Sequence, residues 1–146
     1  MLGGYLWITT EEEREQCFAV RRAVFMEEQG FQNEFDAIDE EAHHLLFLDD
    51  EKPIATARLF FDDGVWHIGR VCTLKEYRGQ GIGKFLIEEC LLKAKELRRS
   101  KTVVLGAQVQ AKGFYEACGF RAYGEEYDDE GCPHIRMRME LDEGKR

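Results

Sequence analysis

Proline is nearly missing from this chain, with 2 in 146 residues, so Pro-rich linkers and spacers are excluded. Long apolar runs are missing too; none approaches the roughly 20 residues of a membrane-spanning helix. There is no basic excess. Lys and Arg number 20 against 29 Asp and Glu, a net charge of -9, which argues against a dedicated nucleic-acid binder. An anionic ligand remains open, because a few local donors can overcome a global charge. Met1 to Arg14 has no basic region and turns acidic at Glu11, so it does not read as a secretory signal. No C-x-x-C occurs, and the five cysteines are odd in number and widely spaced. That pattern predicts neither a disulfide framework nor a zinc or other metal site, and points to reduced thiols in the cytoplasm. What is present is 44% hydrophobic and 12% aromatic residues, enough for one packed core, so a single domain over residues 1–146 is expected.

Periodicity orders the elements. Tyr5 to Ile8 reads as a short edge strand. Thr9 and Thr10 stand three residues before Glu12 and Glu13, a capping-box pattern that starts a helix. Cys17, Val20 and Val24, with Phe18 and Phe25, keep helical spacing, and the helix is expected to end before Gly30. Phe31 to Glu41 reads as an acidic, irregular loop, with a helical turn within it as an alternative. His44–Leu48, Ile54–Phe61 and Val65–Leu74 read as three strands in meander order, the last two joined by the hairpin pair Asp63-Gly64. The period then changes. Ile82, Phe85, Leu86, Cys90, Ala94 and Leu97 mark an amphipathic helix over 81–99. Thr102–Ala107 reads as a buried strand and Ala111 to Cys118 as a short helix capped by Gly119. Phe120–Tyr123 and Ile135–Leu141 read as two more strands joined by an acidic loop. The sum is an α+β domain with a mixed, mostly antiparallel sheet flanked by helices, and a β-α-β unit from Val65 to Ala107 at its centre.

The most informative stretch is Arg78-Gly79-Gln80-Gly81-Ile82-Gly83, between a strand and the strong helix. Closely spaced glycines let backbone approach a ligand, and the first N–H groups of a helix have no partners within it. With the helix dipole they form an anion site, to which Arg78 adds a charged donor. This chemistry suits a diphosphate. A dinucleotide fingerprint would need a third Gly where Lys84 stands. A P-loop would need Gly at Arg78 and Ser or Thr at Phe85, and fails at both.

Val71 through Gly83 closely resembles the coenzyme A signature of the GNAT superfamily of N-acetyltransferases, whose Arg/Gln-x-x-Gly-x-Gly/Ala core is matched from Arg78 to Gly83. Further on, Ala111, Phe114, Tyr115, Glu116, Gly119 and Phe120 match a second segment of that family, with Gln108 where Asn is usual. Phe25 to Gln29, Asp36 to Leu45 and Gly131 to Ile135 look like its small bacterial ElaA/YjcF-like branch. Pro133-His134-Ile135 is also similar to glyphosate N-acetyltransferase-type members. The resemblance implies transfer of an acetyl group from acetyl-CoA to a primary amine of a small molecule in a ternary complex. It implies that Val71, Cys72, Thr73 and Leu74 hold the pantetheine arm, that Arg78, Gly79, Gln80, Gly81, Ile82, Gly83 and Lys84 hold the pyrophosphate, and that Gln108 and Phe114 also touch the cofactor. By analogy a homodimer is possible; no nucleic acid and no membrane is expected.

Direct transfer needs a base for the ammonium and an acid for the departing thiolate. Tyr115 matches the family position for the acid, and packing within an amphipathic helix is its alternative role. His134 is the candidate base, since the glyphosate-type members use the matching His, and a strand-end structural histidine is its alternative. His43 and His44 are weaker candidates, and His67 reads as merely exposed. A covalent route through Cys72 or Cys132 would need a neighbouring base that the sequence does not show. The acidic runs Glu34–Glu41 and Glu125–Glu130 read first as solvated loops, with attraction of a cationic amine as the alternative. A CoA-binding sensor that has lost transfer is the competing function.

Overall fold

Helix starts and tight turns follow local chemistry. In the computed structural model, which describes residues 3–141, Thr10 caps helix α1 (Glu11–Arg21). Thr10 Oγ1 accepts the Glu13 N–H at 3.1 Å, while Glu13 Oε1 accepts the N–H groups of Thr9 and Thr10. The helix does not run unchanged to Gly30. From Arg22 to Glu28 it widens to π-helical winding, and Gly30 then turns the chain with φ at +84°. Val20, Val24 and Phe25 fit either winding, so periodicity carried no sign of the change. Strands β1 (Gly4–Trp7), β2 (His43–Asp49), β3 (Lys52–Asp62) and β4 (Val65–Thr73) form the expected antiparallel meander. Asp63 and Gly64 both take positive φ, as a type I′ hairpin requires.

Helix α2 (Ile82–Leu97) crosses over to β5 (Thr102–Gln108), which lies parallel to β4. Leu86, Ile87, Cys90 and Ala94 of α2 are fully buried against Leu45, Leu59, Trp66, Val103 and Met137 of the sheet, which is the core. Helix α3 (Lys112–Ala117) ends at Gly119, φ +105°, as expected. Strands β6 (Arg121–Asp129) and β7 (Cys132–Glu140) complete a seven-stranded sheet of order β1-β2-β3-β4-β5-β7-β6. The expected acidic loop over Glu125–Glu130 is therefore mostly strand. Its charges fit an edge strand, where they discourage pairing with another sheet. The turn itself is only Glu130-Gly131, with φ values of +52° and +83°. No helix among the described residues is long and apolar enough to cross a membrane.

Two irregularities shape the centre of the sheet. β4 and β5 pair only through Trp66↔Val103 and His67↔Val104, and beyond them the strands part. Just past that point β4 bulges: Thr56 faces Cys72 but Arg58 faces Gly69, so Ala57 alone opposes Arg70 and Val71. Arg70 takes φ +53°, a strained conformation for a side-chain-bearing residue.

The second acidic run also departs from expectation. Glu34 and Asp39 are not solvated; both are buried, 4% and 3% exposed. Buried Arg21 donates from Nε to Glu34 Oε2 at 2.8 Å, and from Nη1 and Nη2 to both Asp39 oxygens at 2.8 and 3.1 Å. Arg58 Nη1 bonds both Asp36 and Asp39 at 2.8 Å. Arg70 Nε reaches Glu34 at 2.9 Å. Burial alone would raise the pKa of Asp39, but hydrogen bonds and charge from Arg21 and Arg58 outweigh it and hold the group down at about 2. A folded-state pKa below the unfolded value stabilises the fold above the ordinary carboxylate range, and that contribution fades as pH falls toward about 2. Asp39→Asn leaves two buried guanidinium groups short of a partner. It is expected to cost about 3–5 kcal/mol and to lower the melting temperature by roughly 10 °C or more. Thermal denaturation against pH checks both statements: the wild-type advantage over the variant should shrink between pH 4 and 2 and be constant near neutrality.

Candidate active site

Where β4 and β5 part, a cleft of about 830 Å³ opens. Its volume suits a small-molecule site. One end is the Gly-rich loop and the start of α2; the other is the sheet face formed by β3, β4, β5 and β7, roofed by the π-helical segment and the loop after it. Of the sequence-predicted residues, Val71, Cys72, Thr73, Arg78, Gly79, Gly81, Ile82, Gly83, Lys84, Gln108, Phe114, Tyr115 and His134 all line this one cleft. Leu74 and Gln80 do not. Leu74 packs against the core and its N–H donates to Ile54 O at 2.8 Å, while Gln80 is exposed.

The β5-facing backbone edge of β4 from Ile68 onward has no strand against it, so it can take a peptide-like arm by strand addition. At the other side of the bulge, Gly79 and Gly81 take φ of +81° and +85°. Gly81 caps α2 without a side chain, and the first intrahelical bond there is Phe85 N–H to Gly81 O. The N–H groups of Ile82, Gly83 and Lys84 therefore stand free of helix partners at the cleft. Gly83 has a different reason: an added Cβ would lie 3.2 Å from the Phe114 ring, so glycine lets α3 seat against α2.

Arg78 is already engaged. Nη1 and Nη2 donate to both oxygens of Glu28 at 2.8 and 2.7 Å, and Nε donates to Thr73 O at 2.9 Å. Those hydrogen bonds hold the Glu28 carboxyl below its ordinary pKa. Gln108 is likewise bonded, donating to Gln29 Oε1 at 2.8 Å and accepting from Gln110 at 2.7 Å. Both contacts tie the cofactor-side motif to the π-helical segment.

Tyr115 lies on α3 between Phe114 and Phe120, with ring centroids at 5.0 and 6.3 Å. Burial pushes its phenol well above the ordinary value, so the hydroxyl keeps its proton. His134 starts the inward face of β7 and is 8% exposed. Its Nδ1 lies 2.8 Å from Cys132 O. A carbonyl only accepts, so in the neutral ring Nδ1 carries the hydrogen and Nε2 carries the lone pair.

Several lining residues were missed or misjudged. His67 is not merely exposed; it is half-buried, lines the cleft and stacks on Phe60 at 4.8 Å and 9°. Its alternation with buried Trp66 and Ile68 was the available signal. Tyr127, in the stretch read as loop, faces His134 across the hairpin with centroids 5.5 Å apart. Its hydroxyl lies over Gly106, where any Cβ would collide with it. Phe25, Phe31 and Arg136 also line the cleft. His43 and His44 do not; His44 is buried and its Nε2 donates to Asp39 O at 3.0 Å. Burial pushes the Cys72 and Cys132 thiols up, which disfavours either as a nucleophile. All five cysteines are free thiols.

Comparison with known proteins agrees with this geometry. The sequence profile of the family described as Acetyltransferase (GNAT) domain matches residues 8–141. The uncharacterized N-acetyltransferase YjcF of Bacillus subtilis is 36% identical over 130 residues, covering 87% of this chain and 92% of that protein. A crystal structure of an acyl-CoA N-acyltransferase from Pseudomonas aeruginosa superposes with a TM-score of 0.84 at 32% identity, over 94% of this chain and 97% of that one. The crystal structure of Escherichia coli ElaA gives 0.85 at 28% identity, over 95% and 99%. With its parted central strands, Gly-rich helix start and a family match over residues 8–141, this chain belongs to the GNAT acetyltransferases.

Proposed function

We propose that the protein moves an acetyl group from acetyl-CoA to a primary amine of a small molecule, directly within a ternary complex. The observation that carries this reading is the meeting of a base-competent imidazole nitrogen and a proton-bearing phenol in one cleft, which ends in an anion-binding helix start. Acetyl-CoA supplies the activated thioester carbonyl. The free β4 edge from Ile68 to Thr73 holds the pantetheine amides, and the N–H groups of Gly79 to Lys84 with the Lys84 ammonium hold the pyrophosphate. Arg78 joins them by exchanging its Glu28 partner for phosphate oxygens, which it can also grip with two parallel bonds.

His134 Nε2 takes the proton from the acceptor ammonium. The freed amine attacks the carbonyl carbon and the C–N bond forms; the attacking nitrogen gives up its surplus proton to solvent, and the C–S bond breaks as the tetrahedral oxyanion collapses. Tyr115 then gives its proton to the leaving sulfur. The amide and free CoA leave, and solvent restores both side chains.

Calorimetric titration with acetyl-CoA, with free CoA alongside and at several salt concentrations, tests the cofactor part. Saturable binding that weakens with salt is expected. Glu28→Gln, which loosens the hold on Arg78, is expected to tighten binding by up to about fivefold, the scale of an exposed ion pair. Absence of binding, or weaker binding in Glu28→Gln, overturns the assignment at this loop.

Turnover by CoA release with a panel of amines tests the chemistry. Tyr115→Phe is expected to lower kcat by about 10²- to 10⁴-fold with acetyl-CoA affinity nearly unchanged. His134→Ala is expected to lower kcat on the same scale, again with acetyl-CoA affinity nearly unchanged. Nitrogen-15 shifts of the ring should show hydrogen on Nδ1 in neutral His134. Binding without turnover for any amine would instead favour an acyl-CoA-binding module.

A further inference from the structure

The acceptor end of the cleft has an unexpected charge pattern. Two of the acidic side chains that line it, Glu34 and Glu130, do not wait for a cation. Glu34 is bonded to Arg21 and Arg70. Glu130, at the hairpin tip, accepts the N–H groups of Gln32 and Asn33 at 2.9 and 3.0 Å. The cations Arg58 and Arg70 are turned the same way, onto Asp36, Asp39 and Glu34. Three guanidinium groups and three carboxylates thus cancel beside the cleft.

Arg136 stands outside that balance. It is exposed, lines the cleft, and has no carboxylate partner among the described residues. Arg138, the next residue on the same face of β7, is by contrast held by Glu140 at 2.9 Å. The Arg136 guanidinium lies over the Tyr127 ring, 4.6 Å from its centroid. The same ring meets the His134 imidazole at 5.5 Å. Tyr127 can lie there only because Gly106, the register partner of Arg136, has no side chain. One aromatic ring therefore carries the base at one side and a free cation at the other. Asp129, also without an ion-pair partner among the described residues, lines the cleft at the His134 end of the hairpin, two residues from Tyr127.

We propose that the acceptor is an amine that carries a carboxylate, with Arg136 as the residue that reads it. This rests on the acetyl-transfer reading and adds the substrate class. Arg136 grips the carboxylate through two parallel N–H donors, a geometry a planar guanidinium fits and a point charge does not. Asp129 draws the ammonium toward His134, and the apolar faces of Phe25, Phe31 and Phe60 take the carbon skeleton. Attraction of purely cationic amines by the acidic runs is disfavoured, because, of the acidic residues that line the cleft, Glu34 is already met by arginines and Glu130 by backbone N–H groups, which leaves Asp129 as a single carboxylate beside the free Arg136 cation.

The test uses matched pairs of amines, each an amino acid and its decarboxylated counterpart, with acetyl-CoA present. Wild-type protein is expected to turn over the carboxylated member of a pair with the higher kcat/KM. Arg136→Gln should shrink that ratio by about 10- to 100-fold, mainly through KM, while acetyl-CoA affinity stays the same. Arg136→Lys should recover only part of it. A wild-type preference for decarboxylated amines, or an equal change in both members of a pair, overturns the proposal. Acceptor binding, followed by the ring-proton resonances of His134 in the presence of CoA, separates this proposal from the transfer reading. If no amine is acetylated, shifts caused by carboxylated amines in wild type but not in Arg136→Gln support the assignment, and no shift with any amine overturns it.

Discussion

The cleft exists because β4 leaves β5 after two residue pairs, and β4 leaves because it bulges at Arg70. A bulge with a side-chain-bearing residue at φ +53° costs on the order of 1–3 kcal/mol and persists only where its surroundings over-determine it. Here the surroundings are ionic. Arg70 is tied to Glu34, Glu34 to Arg21, Arg21 to Asp39, and Asp39 to Arg58 on the strand opposite the bulge. Charges removed from water are stable only when every one is met. The lattice is therefore all-or-none, and it fixes the loop 31–41, the π-helical segment and the bulge as one unit. The site is shaped by polar groups on one sheet face, while α2 and the apolar core hold the other.

That division explains what the sequence could and could not disclose. Strand alternation, the Thr10 capping box, the Asp63-Gly64 turn and the α2 stripe are local patterns, and local patterns are legible. The lattice is not local: Arg21, Glu34, Asp39, Arg58 and Arg70 are brought together from a helix, a loop and two strands. An acidic run reads the same whether its carboxylates are solvated or met by distant arginines, so the solvated reading of Glu34–Glu41 failed at Glu34 and Asp39 while Glu40 and Glu41 are exposed. β6 was cut short for a related reason: an edge strand facing solvent carries the charges that also mark loops.

Within the site, residue type was legible but engagement was not. Arg78 and Gln108 could be picked out by motif, yet nothing local shows that Glu28 and Gln29, 50 and 79 positions away in the chain, hold them. These two contacts link the cofactor-side motif to the segment that roofs the acceptor end. Whatever draws Arg78 away from Glu28 must also loosen the π-helical turn that carries Val24, Phe25 and Gln29. A widened turn suits such a place, since its backbone bonds tolerate rearrangement better than a continuous α-helix would.

The β6–β7 hairpin shows how one turn can serve stability and chemistry together. Its Glu130-Gly131 turn sets the register that puts Tyr127 opposite His134, and a register shift between Tyr123 and Tyr127 then brings Tyr123 opposite Arg136. A slip of one residue would turn both rings to the other face. Register is further held by the Glu130 carboxylate, which bonds two backbone N–H groups nearly a hundred residues earlier and so closes the hairpin tip onto the loop after the π-helical segment. The tautomer of His134 follows from the same arrangement, because Cys132, beside the turn, presents its carbonyl to Nδ1. The lone pair on Nε2 is thus a consequence of backbone geometry. No acidic side chain is hydrogen-bonded to this ring among the described residues, and in the neutral ring the turn alone determines which nitrogen faces the acceptor.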